Sequence, residues 1–190
     1  MIDLLDIQPK ILVIGDLMID HYLWGSCNRV SPEAPVQIIN VDSESNSLGG
    51  AGNVINNLYT LGAEADVISV IGECEASNKL KELLSNIGVG THYLIKQKNR
   101  VTSKKSRIIA DQQQVVRYDQ ENIDEINIES QNTIIKTFED IVNKYDAILL
   151  SDYGKGVLTF DLTQSLISIA NKNDKKLLVD PKGLDYSKYN

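Results

Sequence analysis

The chain has 190 residues, 42% hydrophobic and 24% charged, a balance that excludes a largely disordered protein and predicts one globular domain with its own core. The formal net charge of −7 argues against a general nucleic-acid binder. Its apolar runs have only the length of strands, so no membrane span is expected, and residues 1–10 show no signal-peptide pattern. Cys27 and Cys74 lie far apart, which predicts no disulfide framework and a cytoplasmic location.

Short apolar runs alternate with helical stretches along most of the chain. The runs typical of strands buried in a parallel sheet are Ile11–Asp16, Asp66–Gly72, Ala147–Ser151 and Lys176–Asp180. The stretches with helical character are Ala51–Leu61, Glu75–Asn86, Ile128–Lys144 and Asp161–Asn171. Strands that alternate with helices of this length predict βαβ units and an α/β fold around a mostly parallel sheet.

Two stretches break this alternation. The β-rich piece Val36–Val41 follows Pro35 with no room for a helix before it. Further along, Val101–Ile109 and Gln114–Tyr118 flank a turn at residues 111–113, which predicts a hairpin. We therefore expect strands near 20–42 and 101–118 to form a small flap outside the main sheet, followed by a surface loop over 119–127.

The glycine-rich stretch Leu48–Asn53 directly precedes a predicted helix. Gly49 and Gly50 would let the backbone approach a ligand closely, and the amide of Asn53 suits sugar hydroxyls. A flexible turn with a helix cap explains the same residues equally well. The stretch is not a phosphate-binding Walker loop, and it lacks the third glycine of the dinucleotide fingerprint.

Asp16 follows the first predicted strand, at the edge of the sheet where α/β proteins bind ligands. Its carboxylate could accept hydrogen bonds from sugar hydroxyls, or it could merely cap a turn. Asp20 comes four residues later and is less well placed. His21 and His92 are isolated and predict structural roles, and no metal-binding cluster stands out in the sequence.

Basic residues concentrate in one segment of this acidic chain. Residues 96–107 contain six lysines and arginines and no acidic residue. If this segment forms a strand, Lys105 and Arg107 share one face, and Arg117 on the partner strand could join them to hold a phosphate. The alternative is an edge strand that its lysines protect from pairing with other chains, an alternative that is weaker for the two arginines.

Two predicted strands end in an acidic residue followed by a lysine. Asp152 and Lys155 follow Ala147–Ser151, and Asp180 and Lys182 follow Lys176–Val179. Such pairs at neighbouring strand ends could organise a phosphate or its metal ion in a shared cleft. Ordinary turn chemistry is the alternative, since Gly, Pro and Asp are common turn residues.

Several of these segments, taken in order, resemble the ribokinase-type sugar kinases. The residues that carry the resemblance are 14–20 (Ile-Gly-Asp-Leu-Met-Ile-Asp), 29–36, 48–54 and 61–63. Ser-Pro-Glu-Ala-Pro-Val (31–36), Gln113-Gln114, Arg117, Asp119, Ser-Asp-Tyr-Gly-Lys-Gly (151–156) and Asp-Pro-Lys-Gly (180–183) narrow it to the heptose-7-phosphate kinase branch. The match runs from about residue 10 to residue 185, nearly the whole chain.

The resemblance implies a ribokinase-like α/β sandwich with a β-flap over the sugar, truncated at its C-terminus, so that residues 1–190 form the N-terminal, sugar-binding part. It implies transfer of the ATP γ-phosphate, with magnesium, to the anomeric hydroxyl of D-glycero-D-manno-heptose 7-phosphate, a step toward ADP-heptose and the lipopolysaccharide core. The implied partners are a sugar phosphate and a second copy bound through the flap, with neither nucleic acid nor membrane. The residues implied to contact the substrate are Asp16, Gly49, Gly50, Asn53, Lys105, Arg107 and Arg117.

The sequence departs from that family in one decisive respect. The family's Asn-x-x-Glu motif, expected near Asn190, and its Gly-Ala-Gly-Asp motif, which manage magnesium and supply the catalytic base, do not follow Asp-Pro-Lys-Gly (180–183) in these 190 residues. No catalytic residue is therefore assigned, the base is expected beyond Asn190, and this chain alone is expected to have little activity. Two alternatives stay open, namely a kinase for another phosphorylated sugar and a non-catalytic sugar-phosphate-binding or dimerisation module.

Overall fold

A computed structural model describes residues 8–190, and the prediction that residues 1–7 carry no signal peptide lies outside the described residues. The strands are β1 (Lys10–Gly15), β2 (Leu17–Val30), β3 (Gln37–Gly50), β4 (Glu64–Ile71), β5 (Leu94–Lys96), β6 (Ser103–Ala110), β7 (Gln113–Gln120), β8 (Ala147–Ser151) and β9 (Lys176–Asp180). The helices are α1 (Ala51–Thr60), α2 (Glu75–Asn86), α3 (Ile128–Ile141) and α4 (Phe160–Lys172). Within residues 8–190, each helix is too short or too polar to cross a membrane.

The main sheet contains five parallel strands in the order β5-β4-β1-β8-β9, which confirms the predicted parallel α/β architecture. Strand β1 is central, and both of its faces are buried, which explains its uninterrupted apolar sequence. Leu12 and Ile14 pack beneath α3 and α4 in one core that includes Phe138. Val13 faces the opposite core, where α1 and α2 contribute Ile55 and Leu80.

Capping residues in the sequence explain where α3 and α4 start. Asn127 caps α3 by accepting a hydrogen bond from the Ser130 backbone N–H, and Thr159 caps α4 by accepting one from Leu162. The predicted bounds of α2 are those of the structure. The stretch predicted as one helix from Ile128 to Lys144 is an α-helix to Ile141 followed by a short 3-10 turn.

The flap is a second, four-stranded sheet in the order β3-β2-β6-β7. Strands β2 and β6 are parallel, whereas the pairs β2–β3 and β6–β7 are antiparallel. Asp111 and Gln112 form the predicted turn with φ values of 50° and 67°, the positive values that suit a two-residue hairpin connection. The flap is larger than the predicted one near 20–42 and 101–118, because its strands cover 17–50 and 103–120.

The flap rises from the edge of the main sheet where ligands are expected. Gly15, Ser151 and Asp180, which end three neighbouring strands, are paired in register. Strand β2 begins two residues after Gly15, and β3 leads directly into α1, whose first N–H donates to the Asp16 carbonyl over 3.0 Å. This connection places the flap, the start of α1 and the carboxyl ends of the strands around one cleft.

Candidate functional site

A cavity of about 500 Å³ lies between the flap and the start of α1. We call it the cleft, and we call the side of the flap that lines it the front face. Five of the seven predicted substrate-contacting residues line it, together with Asp20. These six residues are Asp20, Gly50, Asn53, Lys105, Arg107 and Arg117.

Strand register brings the charged side chains of the cleft together. Lys105 lies opposite Asp20, and Arg107 lies between Tyr22 on β2 and Arg117 on β7. Because side chains alternate between the faces of a strand, these residues share the front face. The structure therefore gathers Lys105, Arg107 and Arg117 as the sequence predicted.

Asp20 is a central cleft residue that the sequence argument ranked below Asp16. Its Oδ1 pairs with Nη1 of Arg107 at 2.5 Å, and this hydrogen bond raises the pKa of Arg107 above its usual value. The Arg107 guanidinium also lies 5.3 Å from the centre of the Tyr22 ring, a cation–π distance. The alternation of Met18, Asp20 and Tyr22 along β2 was the signal that could have identified Asp20.

A second ion-pair group joins the flap to the main sheet. Lys105 Nζ lies 2.8 Å from Asp119 Oδ2 and 3.4 Å from Glu121 Oε2, and Lys155 Nζ lies 2.9 Å from Glu121 Oε1. The hydrogen bond from Lys105 holds the pKa of Asp119 below its usual value. Burial by itself would raise the pKa of Glu121, but the bond from Lys155 and the charge of Lys105 lower it.

Arg117 completes this group, since its Nε lies 3.1 Å from Asp119 Oδ1. The charges can be counted from the ion pairs. Four cations (Lys105, Arg107, Arg117, Lys155) face three carboxylates (Asp20, Asp119, Glu121), so the group carries one excess positive charge. Every one of these cations already has a carboxylate partner. An anionic ligand would therefore have to displace a carboxylate from the cation that it binds.

The two glycines of the Leu48–Asn53 stretch have different roles. Gly50 adopts φ 57°, and a Cβ there would lie 2.5 Å from the Asp16 carbonyl oxygen. A Cβ on Gly49 would overlap Oδ2 of Asp20, so Gly49 makes room for that carboxylate rather than lining the cleft. Asn53, in the first turn of α1, is exposed to the cleft as predicted.

Asp16 caps a loop in this structure and does not line the cleft, so its contact with the sugar stays a prediction. Its side chain is only 1% exposed. Its Oδ2 accepts backbone hydrogen bonds from Tyr153 and Lys155 at 2.8 and 3.0 Å, and its Oδ1 accepts one from Val157 at 3.1 Å. Burial raises the pKa of Asp16 despite these three bonds, which favour the charged form.

Arg100, one of the six basic residues of segment 96–107, holds the same loop from the other side. Its guanidinium is buried and donates to the backbone carbonyls of Lys155 and, over 3.0 Å, Asp124. Burial lowers the pKa of Arg100. Asp16 and Arg100 together fix the path of residues 153–157 and hence the position of Lys155.

The acids and lysines predicted to lie near a phosphate divide into two groups. Asp152 is 4% exposed, and its carboxylate pairs with Lys188 and accepts hydrogen bonds from the Gly154 N–H and the Tyr189 hydroxyl, both at 2.8 Å. Its carboxylate is therefore engaged by these groups in this structure, and its place near a phosphate stays a prediction. Asp180 and Lys182 are exposed at the neighbouring strand end, and Lys155 reaches Glu121 beside the cleft.

The remaining predictions concern metals, histidines and cysteines. Among residues 8–190 no group of three or more His, Cys, Asp or Glu side chains is arranged to bind a metal ion. His92 is exposed and packs edge-on against Tyr93, whereas His21 is buried in the flap. Cys27 and Cys74 are both free thiols.

Comparison with known proteins agrees with this fold. Residues 8–189 match the family described as pfkB family carbohydrate kinase. The chain is 66% identical over 182 residues to a protein of Aliarcobacter butzleri named "Bifunctional protein HldE", covering 96% of this chain and 38% of that protein. It is 55% identical over 181 residues to the protein of the same name from Sulfurimonas denitrificans, covering 95% of this chain and 38% of that protein. The chain thus spans about two fifths of the length of these curated relatives.

Solved structures that resemble the chain have the same fold. The structure titled "Crystal Structure of Sa239" matches with a TM-score of 0.71 at 16% identity, over 96% of this chain and 58% of that one. Ribokinase of Arabidopsis thaliana, solved with ribose and ATP, matches with a TM-score of 0.64 at 13% identity, over 96% of this chain and 57% of that one. With the family match over residues 8–189, these findings establish that the chain belongs to the pfkB family of carbohydrate kinases.

Proposed function

We propose that the chain is the N-terminal, sugar-binding part of a kinase that transfers the ATP γ-phosphate to the anomeric hydroxyl of D-glycero-D-manno-heptose 7-phosphate. The product would be the 1,7-bisphosphate on the way to ADP-heptose and lipopolysaccharide. One observation carries the proposal, namely a single cleft that holds hydroxyl-binding side chains, Asp20 and Asn53, beside a cation group with one excess positive charge. A phosphorylated sugar needs both.

The cleft residues divide between the two ends of such a substrate. The carboxylate of Asp20 would accept hydrogen bonds from sugar hydroxyls, and the Asn53 amide can both donate and accept them. Lys105, Arg107 and Arg117 would bind the phosphate, with the arginines able to contact two of its oxygens at once. Asp16 would act on the substrate only indirectly, by holding residues 153–157 in place.

ATP supplies the transferred phosphoryl group, and magnesium would neutralise charge on it. Asp180 and Lys182, which are exposed at a strand end next to Ser151, would approach the nucleotide. Asp152 is engaged by Lys188 and Tyr189, and residues 8–190 offer no three-ligand cluster, so the described residues do not fit a complete magnesium site. We therefore assign phosphoryl transfer to the whole protein and sugar binding to this part of it.

We also propose a cytoplasmic homodimer assembled through the flap. The flap exposes large apolar side chains that a second copy would cover. They include Val30, Val41, Val115, Val116 and Tyr118. Sedimentation equilibrium should give twice the mass of the chain, and Val116→Lys should shift it toward the monomer. A monomer at all concentrations for the unaltered chain would contradict this assembly.

The proposed substrate is tested by calorimetric titration of the chain with D-glycero-D-manno-heptose 7-phosphate. Arg107→Ala and Lys105→Ala should each weaken binding about tenfold or more, which is the loss of roughly one charge-assisted hydrogen bond, and Asn53→Ala should weaken it about twofold to tenfold, the loss of a neutral one. Lys104→Ala is the matched control, because Lys104 neighbours Lys105 but points to the opposite face of β6 and should leave affinity unchanged.

Competing substrates distinguish the alternatives. Fructose 6-phosphate or sedoheptulose 7-phosphate that binds more tightly than the heptose phosphate would favour a kinase for another phosphorylated sugar. A folded wild-type chain that binds none of the three sugar phosphates would refute the proposal that these residues form the sugar site. Heptose without its phosphate should bind more weakly than heptose 7-phosphate in the wild type, and Arg107→Ala should reduce that difference.

A further inference from the structure

His21 belongs to a hydrogen-bonded chain on the back face of the flap, opposite the cleft. Its Nδ1 lies 2.9 Å from the hydroxyl of Ser106 on β6, and its Nε2 lies 2.8 Å from Oε1 of Glu44 on β3. These two hydrogen bonds therefore link three adjacent strands, β3, β2 and β6. His21 is 4% exposed and Ser106 is 0% exposed, so this polar contact is made inside the flap.

The donors and acceptors of Glu44, His21 and Ser106 match one another. The Glu44 carboxylate can only accept, so Nε2 of His21 donates to it. In the neutral ring Nδ1 then accepts, and the Ser106 hydroxyl donates to it. Ser106 is 0% exposed, so a shift of β6 along β2 would leave its hydroxyl buried without a hydrogen-bond partner.

The position of this contact in the sheet matters for the cleft. His21 pairs in register with Ser106, and the pairs on either side are Asp20 with Lys105 and Tyr22 with Arg107. Those flanking pairs supply the front face. Because side chains alternate, a slip of one residue between β2 and β6 would turn the basic residues away from Asp20.

No short turn sets the register of these two strands. Strand β2 ends at Val30, and β6 begins at Ser103, with β3, α1, β4, α2 and β5 in between. The antiparallel pair β6–β7, in contrast, is aligned by its two-residue turn at Asp111 and Gln112. A buried, specific polar contact is one way to define register where turn geometry does not.

We propose that His21 and Ser106 are positioning residues of the cleft, which fix β6 against β2 so that Lys105 and Arg107 meet Asp20 and the substrate phosphate. The proposal rests on the proposed function for the identity of the ligand, but not for the alignment of the strands. Neither residue touches the substrate, since both lie on the back face. Glu44 contributes by orienting the His21 ring.

The test compares two variants of the whole chain, namely a double variant with apolar residues at both positions, called the apolar pair, and a conservative single variant. In His21→Phe/Ser106→Ala both polar partners are removed together, which leaves no unsatisfied group and should keep the chain folded. His21→Asn keeps an oxygen able to accept from Ser106. The matched control is His92→Asn, which changes the other, exposed histidine. Each variant is checked for cooperative unfolding before it is assayed.

Two measurements are made on each folded variant. The first is the affinity for heptose 7-phosphate, which should fall about tenfold to hundredfold in the apolar pair, as expected for misplaced binding groups. The second needs no ligand. Trp24 is the only tryptophan and stacks on Tyr22 at 5.8 Å between ring centres, so its fluorescence emission reports on the front face. The apolar pair should shift or broaden that emission, whereas His21→Asn and His92→Asn should match the wild type in both measurements.

A folded apolar pair with wild-type emission and wild-type affinity would overturn the proposal. So would a folded His21→Asn that loses as much affinity as the apolar pair. If the wild type itself does not bind heptose 7-phosphate, the proposed function fails, and the Trp24 emission of the apolar pair alone decides on the positioning role. If the apolar pair does not fold, the single variants Ser106→Ala and His21→Asn are compared, and equal emission and affinity in the two would overturn it.

Discussion

Replacing Asp16 by Asn separates a loop-anchoring role from a sugar-binding role. The carboxylate accepts three backbone N–H groups at 2.8, 3.0 and 3.1 Å. An amide oxygen placed at Oδ2 keeps the bonds from Tyr153 and Lys155, but the amide NH₂ then faces the Val157 N–H and cannot accept from it. A buried N–H without an acceptor costs about 1–3 kcal/mol, and the two remaining bonds weaken when the acceptor loses its charge.

Burial raises the pKa of Asp16 despite its hydrogen bonds, so removal of the buried charge outweighs the weakening of the two remaining bonds. The Val157 N–H left without an acceptor then sets the net destabilisation, at most about 1–3 kcal/mol. For a chain of this size each kcal/mol shifts Tm by about 2–4 °C, so the midpoint of thermal unfolding should fall by roughly 2–12 °C. Calorimetric or circular-dichroism melts measure it directly.

Asp20→Asn is the matched control, since it makes the same chemical change four residues away in the cleft. It should change Tm by no more than a few degrees, because Asp20 is partly exposed, but it should weaken binding of heptose 7-phosphate about tenfold or more. The reasoning is refuted if Asp16→Asn melts like the wild type and yet loses the sugar phosphate, since Asp16 would then contact the ligand.

Three further predictions follow from the site. Gly49→Ala should weaken binding of heptose 7-phosphate, because the added Cβ displaces the Asp20 carboxylate. Gly88→Ala, at a turn glycine with free space around it, should affect only stability. Calorimetric titration that shows an equal loss of affinity in both variants would contradict this prediction. Asp16 and Glu121 should give opposite pH dependences in urea unfolding. The pKa of Asp16 is raised in the folded state, so its contribution to the free energy of unfolding declines as pH rises through that pKa. The pKa of Glu121 is lowered, so its contribution is lost as pH falls below about 4.5. Asp16→Asn should therefore reduce the first pH dependence, and Glu121→Gln should reduce the second. Arg100→Met should lower Tm more than Arg29→Met, because only Arg100 is buried and donates to two backbone carbonyls; equal melts of the two would show that the loop does not depend on it.

The main sheet could be predicted because its strands and helices carry their signals locally. The apolar run at β1 and the helical spacing of Phe138 within α3 each reflect burial against the core, so their bounds followed from the sequence within a few residues. Strand β2 was harder, because beyond Tyr22 it becomes partly exposed and includes Gly25 and Ser26, so it shows no continuous apolar run.

The roles of the charged residues depended on contacts distant in sequence. Asp16 and Asp20 look alike as neighbours of one strand end, and only the backbone of residues 153–157, about 140 positions later, decides which of them lines the cleft in this structure. The cations of β6 were identified from composition. Their carboxylate partners were not, because the pairing of Lys105 with Asp119 is set by the β6–β7 register.

The three cations that line the cleft, and Lys155 beside it, are held by counter-ions that belong to the protein itself. Ligand capture at such a site is an exchange, in which an incoming anion must outcompete Asp20, Asp119 and Glu121 for lysine and arginine donors already engaged. Chloride, with one charge and no fixed geometry, is a poor competitor. A phosphate monoester carries close to two charges above its second pKa of about 6 and offers three acceptor oxygens. The same carboxylates that weaken binding in general therefore make the cleft selective for a dianion, and its occupancy should follow the ionisation of the ligand more closely than that of the protein.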